Sequence, residues 1–385
     1  GQFICADASH RERRPLYLCF LDISRAYDSV DHEKLWRQLA KRGLGAEWIN
    51  LLKEIYKETT VVAQWQEEMT HPVAITKGLR QGCPLSPLLF MLYIAGFEKR
   101  LQDCAEGFTL EYKEAGTSGG GKIPGLIYAD DIVLMADSLV GLQALMNECN
   151  TMGTALGLSF SAKKSAWMGF GDRGDTEADD LKIQGEQVPW VPQYKYLRIH
   201  IQEGHNYLED HETRLQAKSR WSKGISTSTA LWGYNRFEIS RAVWKMVAVP
   251  GLTFGNGVLC LSSRTRECLE VRQREVGRAA LGASRGTPNE AVQGDMGWSS
   301  FDAREARAKL GFERRLCHMQ EGRWARLAFK YIHLKSLTTR WVRRTRQLAL
   351  RYRINSPLLY PTPEQQLGGE GRTEAGTCPV RQGKT

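Results

Sequence analysis

No apolar run in the 385-residue sequence approaches the roughly 18 residues that a membrane-spanning helix needs, so no such segment is expected. Cys-x-x-Cys pairs are absent, and no histidine follows a cysteine pair at zinc-ligand spacing. Those absences exclude the common structural zinc modules. The nine cysteines are an odd number, and Cys317-His318 stands without a matching pair. This pattern predicts a reduced, intracellular chain of the nucleus or cytoplasm rather than a secreted one. The opening GQFICADASH has neither an initiator Met nor a signal-peptide pattern and reads as the interior of a longer reading frame. No internal repeat is visible.

Acidic residues are scarce in the second half. Residues 1–200 carry 22 Lys and Arg against 26 Asp and Glu, whereas residues 201–385 carry 31 against 17. The whole basic excess of +10 therefore lies C-terminally. Such asymmetry fits a polyanionic partner gripped by the second half, or a solvated basic face on a helical domain.

Periodicity supplies the elements. RPLYLCFLDISRAYDSV (14–30) opens as a strand with a carboxylate at its end, Asp22. Helices are expected over 31–43, with Asp31 as cap, and over 46–58 and 138–158. A Gly/Pro loop from residue 78, with Pro84 and Pro87, should lead into one long apolar helix. Short strands are expected around SFSAKKSAWMGF and YKYLRIHI. Beyond residue 203 the chain reads mostly helical, and from about 356 its Pro, Gly, Gln and Thr content predicts disorder. GTSGGGKIPG (116–125) superficially matches a phosphate loop. Ile123 replaces the required Ser or Thr, and a strand follows where a helix should, so a flexible glycine turn is expected instead.

GLIYADDIVLM (125–135) sets Asp130 and Asp131 side by side between apolar residues. Two adjacent carboxylates raise each other's pKa unless a positive charge compensates them. They either face water at a turn or hold a cation. Asp22 stands at a similar strand end. Three hard oxygen donors of this kind suit a divalent ion, and two such ions can clamp a phosphoryl displacement. A turn or a helix cap is the plainer explanation for a single aspartate, and Asp28 and Asp31 read that way.

FLDISRAYDSVDH resembles the first polymerase motif of reverse transcriptases, RQGCPLSPLLF their second, YADD their metal-binding box and LSFSAKKSAWM the Lys-containing motif after it. YKYLRI resembles their primer-grip turn, where the family usually has Gly in place of Arg198. Five motifs fall in register across 14–203, and the wording, with AVWKMVAVPGLTFGNGVL downstream, is similar to non-LTR (LINE-type) retrotransposon enzymes. The resemblance implies Asp22, Asp130 and Asp131 as catalytic carboxylates and metal ligands, joined by the Ile23 carbonyl. Two Mg²⁺ would be the cofactor, with Mn²⁺ as substitute. It implies Tyr27 under the incoming sugar, Gln81 and Gly82 beside the nascent base pair, and Lys164 at the dNTP phosphates, a role Lys163 could also take. Tyr196 and Leu197 would position the primer end. Arg340, Arg343 and Arg344 would contact the primer or template.

Trp341 or Tyr352 would stack on an unpaired base, or else pack their helix by its apolar stripe. The implied fold is α+β: a palm of antiparallel strands backed by helices with a remnant of fingers (1–203), a helical thumb or connection (204–300), a basic helical extension (301–355) and a disordered tail (356–385). The implied function is RNA-directed DNA synthesis with RNA template, DNA primer and dNTP as partners. Alternatives are a decayed mobile-element fragment that binds nucleic acid or is inert, a group II intron-type reverse transcriptase, and a nucleotide cyclase, whose palm-like sheet would leave RQGCPLSP unexplained.

Overall fold

A computed structural model describes residues 2–359, apart from residues 58–59, 63, 76, 115–116, 172–180, 205 and 230–234. Helix α1 (Gln2–Glu12) leads into strand β1 (Leu16–Asp22), and helices α2 (His32–Lys41) and α3 (Ala46–Lys57) follow. Asp31 caps α2, its carboxylate accepting the Lys34 N–H at 2.9 Å, as its position before an amphipathic run predicts. The single apolar helix expected after Pro84 is two, α4 (Ser86–Ile94) and α5 (Gly96–Asp103), divided just before Gly96, a poor helix former.

The glycine stretch is not a turn. Strand β2 (Phe108–Glu114) pairs with β3 (Thr117–Ile123) along its whole length, placing Gly119, Gly120 and Gly121 inside a strand. The physical reason is close approach: a Cβ on Gly120, whose φ is +144°, would stand 2.2 Å from the Leu110 carbonyl. Strand β4 (Gly125–Tyr128) and strand β5 (Asp131–Ala136) form the next hairpin. Helix α6 (Leu139–Leu156) is capped by the Ser138 hydroxyl and closed by Gly157. Strand β6 (Ala166–Phe170) and the hairpin of β7 (Gln193–Tyr196) with β8 (Ile199–Gln202) complete the β structure that shapes the site.

The central sheet has the order β6-β1-β5-β4 and is antiparallel throughout. Both of its faces are buried, which explains why β1 and β5 read as nearly unbroken apolar runs. Tyr17, Cys19 and Leu21, with Ile132 and Leu134, join a core shared with Leu142, Leu145 and Met146 of α6. Leu16, Leu18 and Phe20, with Val133 and Met135, join a second core on the opposite face.

The second half supplies much of that opposite face. Helices α7 (Glu209–Thr229), α8 (Arg236–Val243), α9 (Ser263–Leu281) and α10 (Asn289–Met296) enclose a core of their own around Trp244, Val276, Met296 and Phe301. A π-helical turn over Trp244–Ala248 and a short helix, Val249–Leu252, continue α8. Helices α11 (Phe301–His318), α12 (Trp324–Leu334) and α13 (Arg340–Tyr352) then return to the sheet, where Leu316, Phe329, Tyr331 and Trp341 pack with Leu16 and Phe20. Helix α1 is tied to this layer: Lys335 Nζ lies 3.1 Å from Glu12, and the Tyr207 hydroxyl donates to Asp7 at 3.1 Å.

The tail expected to be disordered from residue 356 starts in order, because Ser356 donates to Glu313 at 2.6 Å and Leu358 is buried. Residues 360–385 lie outside the described residues. Among the described residues, no helix is long and apolar enough to cross a membrane. The architecture is α+β.

Candidate active site

Register, rather than proximity in sequence, gathers the carboxylates. Antiparallel pairing of β1 with β5 sets Asp22 opposite Asp131. Pairing of β4 with β5 closes on Tyr128 and Asp131, so Ala129 and Asp130 form the two-residue tip between them. Ala129 occupies the left-handed region at φ +52°, a strained conformation for a residue with a Cβ. Asp130 is exposed at the tip, whereas Asp22 is half-buried.

The charges repel. Burial is the main cause lifting Asp131 above the ordinary carboxylate range, with the charges on Asp130 and Asp22 adding to it. Burial likewise lifts Asp22, and Asp130 reinforces the shift while Lys164 opposes it. No described residue forms an ion pair with any of the three. Like charges directly opposite on paired strands are destabilising, so the arrangement is costly as it stands and cheaper with a cation present.

The donors fit a hard divalent ion in type. They do not close around one unaided: among the described residues, no group of three or more His, Cys, Asp or Glu is assembled to hold a metal. An open site of this sort leaves coordination positions to water and substrate phosphate, as magnesium sites commonly do.

A short loop carries the lysines to Asp22. The Asp22 N–H donates to the Ser165 hydroxyl at 3.1 Å, and the Ser161 N–H donates to the Asp22 carbonyl at 2.9 Å. Ser24 N–H reaches the Ser159 carbonyl at 2.8 Å, so two bonds flank Ile23 and its carbonyl takes part in neither. Lys163 and Lys164 stand exposed on this loop, and it is the Lys164 charge that Asp22 feels.

Tyr27 stacks on Phe90 with ring centroids 4.9 Å apart and planes 19° apart. Its phenol is raised by burial first and then by Asp130, which places the ring near the carboxylates. The Leu79 N–H donates to the Tyr27 carbonyl at 2.9 Å, and His32 Nε2 lies 2.7 Å from the Gly78 carbonyl, so the 78–85 loop is pinned beside Tyr27. Gln81 donates to Asp28 at 3.3 Å. Asp28, which reads in sequence as an ordinary turn residue, is therefore the orienting partner of Gln81. Gly82 is exposed at φ +84° with open space around it.

Tyr194 was not visible as a site residue. It stacks on Phe20 at 4.2 Å, and its phenol is raised by burial and then by Asp131 and Asp22. The period-2 spacing of Tyr194 and Tyr196 was the available signal.

Two expected nucleic-acid contacts need correction, and a third residue, left open between stacking and packing, is decided. Tyr196 is 5% exposed, its ring 5.4 Å from Phe20 in the core, so its aromatic face is spent on packing. Half-buried Leu197 and exposed Arg198, both at positive φ, form the tip of the β7–β8 turn instead. Arg344 is 7% exposed and locked to Glu305 at 2.7 Å and Asp302 at 2.6 Å, leaving no free fork for a phosphate. Trp341 is buried, its indole N–H donating to the Gly257 carbonyl at 2.8 Å, so it packs rather than stacking on a base. Tyr352 donates to Asp302 at 3.0 Å. Arg340 lies over the Tyr207 ring at 5.6 Å, and Arg343 is exposed.

Comparison with known proteins follows the same residues. Residues 3–201 match the family model described as reverse transcriptase (RNA-dependent DNA polymerase). An uncharacterized 149 kDa protein of transposon TX1 from Xenopus laevis is 28% identical, over 60% of this chain and 18% of its own. A retrovirus-related Pol polyprotein of the type-1 element R2 from Nasonia vitripennis is 31% identical, over 39% of this chain and 14% of its own. The RNA-directed DNA polymerase of the mobile element jockey from Drosophila funebris is 24% identical, over 69% and 28% respectively. The chain thus spans less than a third of each of these relatives. Apo telomerase from Candida tropicalis aligns over 95% of this chain and 54% of its own at 10% identity, with a TM-score of 0.39, too low to carry an argument.

Proposed function

We propose, from the premise that this chain belongs to the reverse transcriptase family, that it is the RNA-directed DNA polymerase region of a non-LTR retrotransposon. Its substrates are then an RNA template, a DNA primer and dNTP. The observation that carries the reading is the register that sets Asp22 against Asp131 beside the Asp130 tip, with no described cation paired to them.

Divalent-metal dependence belongs to the family. We assign Asp22, Asp130 and Asp131, with the Ile23 carbonyl, to two Mg²⁺, for which Mn²⁺ is a plausible substitute. Bound there, the ions would supply charge neutralisation for an in-line displacement. Everything else falls to the chain. Lys164, on the loop bonded to Asp22, meets the triphosphate and offers its ammonium to the departing pyrophosphate. Tyr27, held by Phe90, forms the floor on which the sugar rests, and a ring there excludes a 2′-hydroxyl sterically. Gln81, oriented by Asp28, lies against the nascent pair, and Gly82 leaves room for the template backbone. Leu197 and Arg198 present the β7–β8 tip to the primer end, and Arg343 faces the duplex.

The test is primer extension on an RNA template with Mg²⁺. Asp130→Asn should abolish extension without lowering the melting temperature. Extension by Asp130→Asn at the rate of the unaltered chain would overturn the assignment.

A further inference from the structure

We infer that a second nucleic-acid contact lies away from the carboxylates, in a basic groove of about 580 Å³ between α11 and the turn at 253–256. Its occupant is the phosphate backbone of a single strand. The inference does not depend on the polymerase reading, because it rests on residues that the site above does not use.

Arg304, Arg307, Gly311 and Arg315 follow one another at intervals of three, four and four residues, so they form one stripe along α11. All four line the groove. Arg307 has no ion-pair partner among the described residues, and Arg315 has only the Phe312 ring beneath it, at 5.5 Å. Arg304 is held by Gln273 at 2.8 Å and lies over Phe301, with burial pulling its guanidinium below its usual range. No carboxylate lines the groove. At Gly311 a side chain would meet nothing within 4 Å, so the middle of the stripe is open.

The opposite wall is rigid. The Leu259 carbonyl accepts from buried Lys309 at 2.5 Å, and the Gly257 carbonyl accepts from Trp341 at 2.8 Å. A Cβ on Gly257 would stand 3.3 Å from the Ala308 carbonyl, so this turn is pressed against α11. Asn256, on the same turn, lines the groove, and among the described residues no hydrogen bond holds its side-chain amide, which is open to the groove. A phosphodiester oxygen or a base edge would satisfy it.

Spacing separates a strand from a free anion. Arg307 and Arg315 are eight residues apart, about 12 Å along the helix axis. One inorganic phosphate reaches one end of the stripe, whereas successive phosphates of a strand reach both.

The test uses the full chain and fluorescence anisotropy with a labelled single-stranded RNA, titrated at several salt concentrations. Arg307→Glu with Arg315→Glu should weaken binding at least about tenfold and flatten the log–log salt dependence by about 1.4, some 0.7 for each lost phosphate contact. Asn256→Asp should weaken it too. Lys53→Glu with Lys182→Glu, the same change in net charge at exposed sites elsewhere, should shift affinity less than twofold. Equal losses from both charge-reversed pairs at unchanged melting temperature would overturn the proposal. So would inorganic pyrophosphate displacing the RNA more effectively, per phosphate, from the unaltered chain than from the Arg307/Arg315 variant.

Discussion

Two clusters of charge differ in how they are satisfied. At the end of the central sheet, Asp22, Asp130 and Asp131 repel one another with no described ion pair to offset them. In the helical half, Arg344 joins Glu305 and Asp302, while Arg351 and Tyr352 also bond Asp302. Burial works to raise Asp302, but hydrogen bonds from Arg351, Arg344 and Tyr352 hold it below its usual range. Burial works to lower Arg344, and its bonds to Glu305 outweigh that. Charges that complete one another belong to the fold. Charges that the fold leaves incomplete point to a ligand.

The sharpest way to break this contrast is to make the helical cluster incomplete. Arg344→Ala leaves the buried Glu305 carboxylate with only Lys309, 3.8 Å away, and should cost about 3–5 kcal/mol, read as a lower midpoint in urea. Replacing Arg344, Glu305 and Lys309 together with Met should recover most of that loss, since Glu305 also pairs with buried Lys309 and apolar groups of similar volume often replace buried ionic clusters at little cost.

The sheet cluster should respond in the opposite way. Asp22→Asn should lower primer extension by at least about a hundredfold, near 2.7 kcal/mol at 1.36 per decade, while leaving the melting temperature unchanged or raised. Asp131→Asn should stabilise the metal-free chain at neutral pH by up to about 1 kcal/mol, the range for a like-charge cross-strand pair. The sign follows from the raised Asp131 carboxyl. The native state binds its proton more readily than the unfolded chain, so ionisation costs stability as pH rises through that raised range. The advantage of the variant should therefore vanish in melts below about pH 3.9, and millimolar Mg²⁺ should erase it at pH 7. An advantage that persists at low pH would mean that repulsion is not its source.

The smallest effect concerns the β7–β8 tip. Arg198 sits at φ +66°, where glycine is unstrained. Arg198→Gly should raise stability by about 0.5–1 kcal/mol in thermal melts, the left-handed strain relieved less the added chain entropy of glycine, and it should weaken primer binding if the arginine faces the primer.

Much of this was legible in the residues themselves. Short apolar runs in LYLCFLD and GLIYADDIVLM mark three strands, and the carboxylates at their ends follow directly. The Asp31 and Ser138 caps were readable from position. The glycine strand was not, because Gly-rich residues signal turns locally and only the close approach of Leu110 explains them here. Arg344 could have been read better: it lies three residues after Trp341 and four before Leu348, on the buried stripe rather than on the basic face. Asp28 acts through a partner distant in sequence and had no comparable local signature, while for Tyr194 only the period-2 spacing with Tyr196 was available.

Local periodicity and turn chemistry depend on neighbours within a few residues, so the sequence by itself determined the strands of the central sheet, most helices and the strand-end position of each carboxylate. Tertiary structure alone decided that Asp22 faces Asp131, that the 159–165 loop brings Lys164 to them, and which arginines of α13 are neutralised. Those outcomes depend on register and on which surface lies opposite a given stripe. Helical or strand spacing defines a face but leaves its partner unspecified.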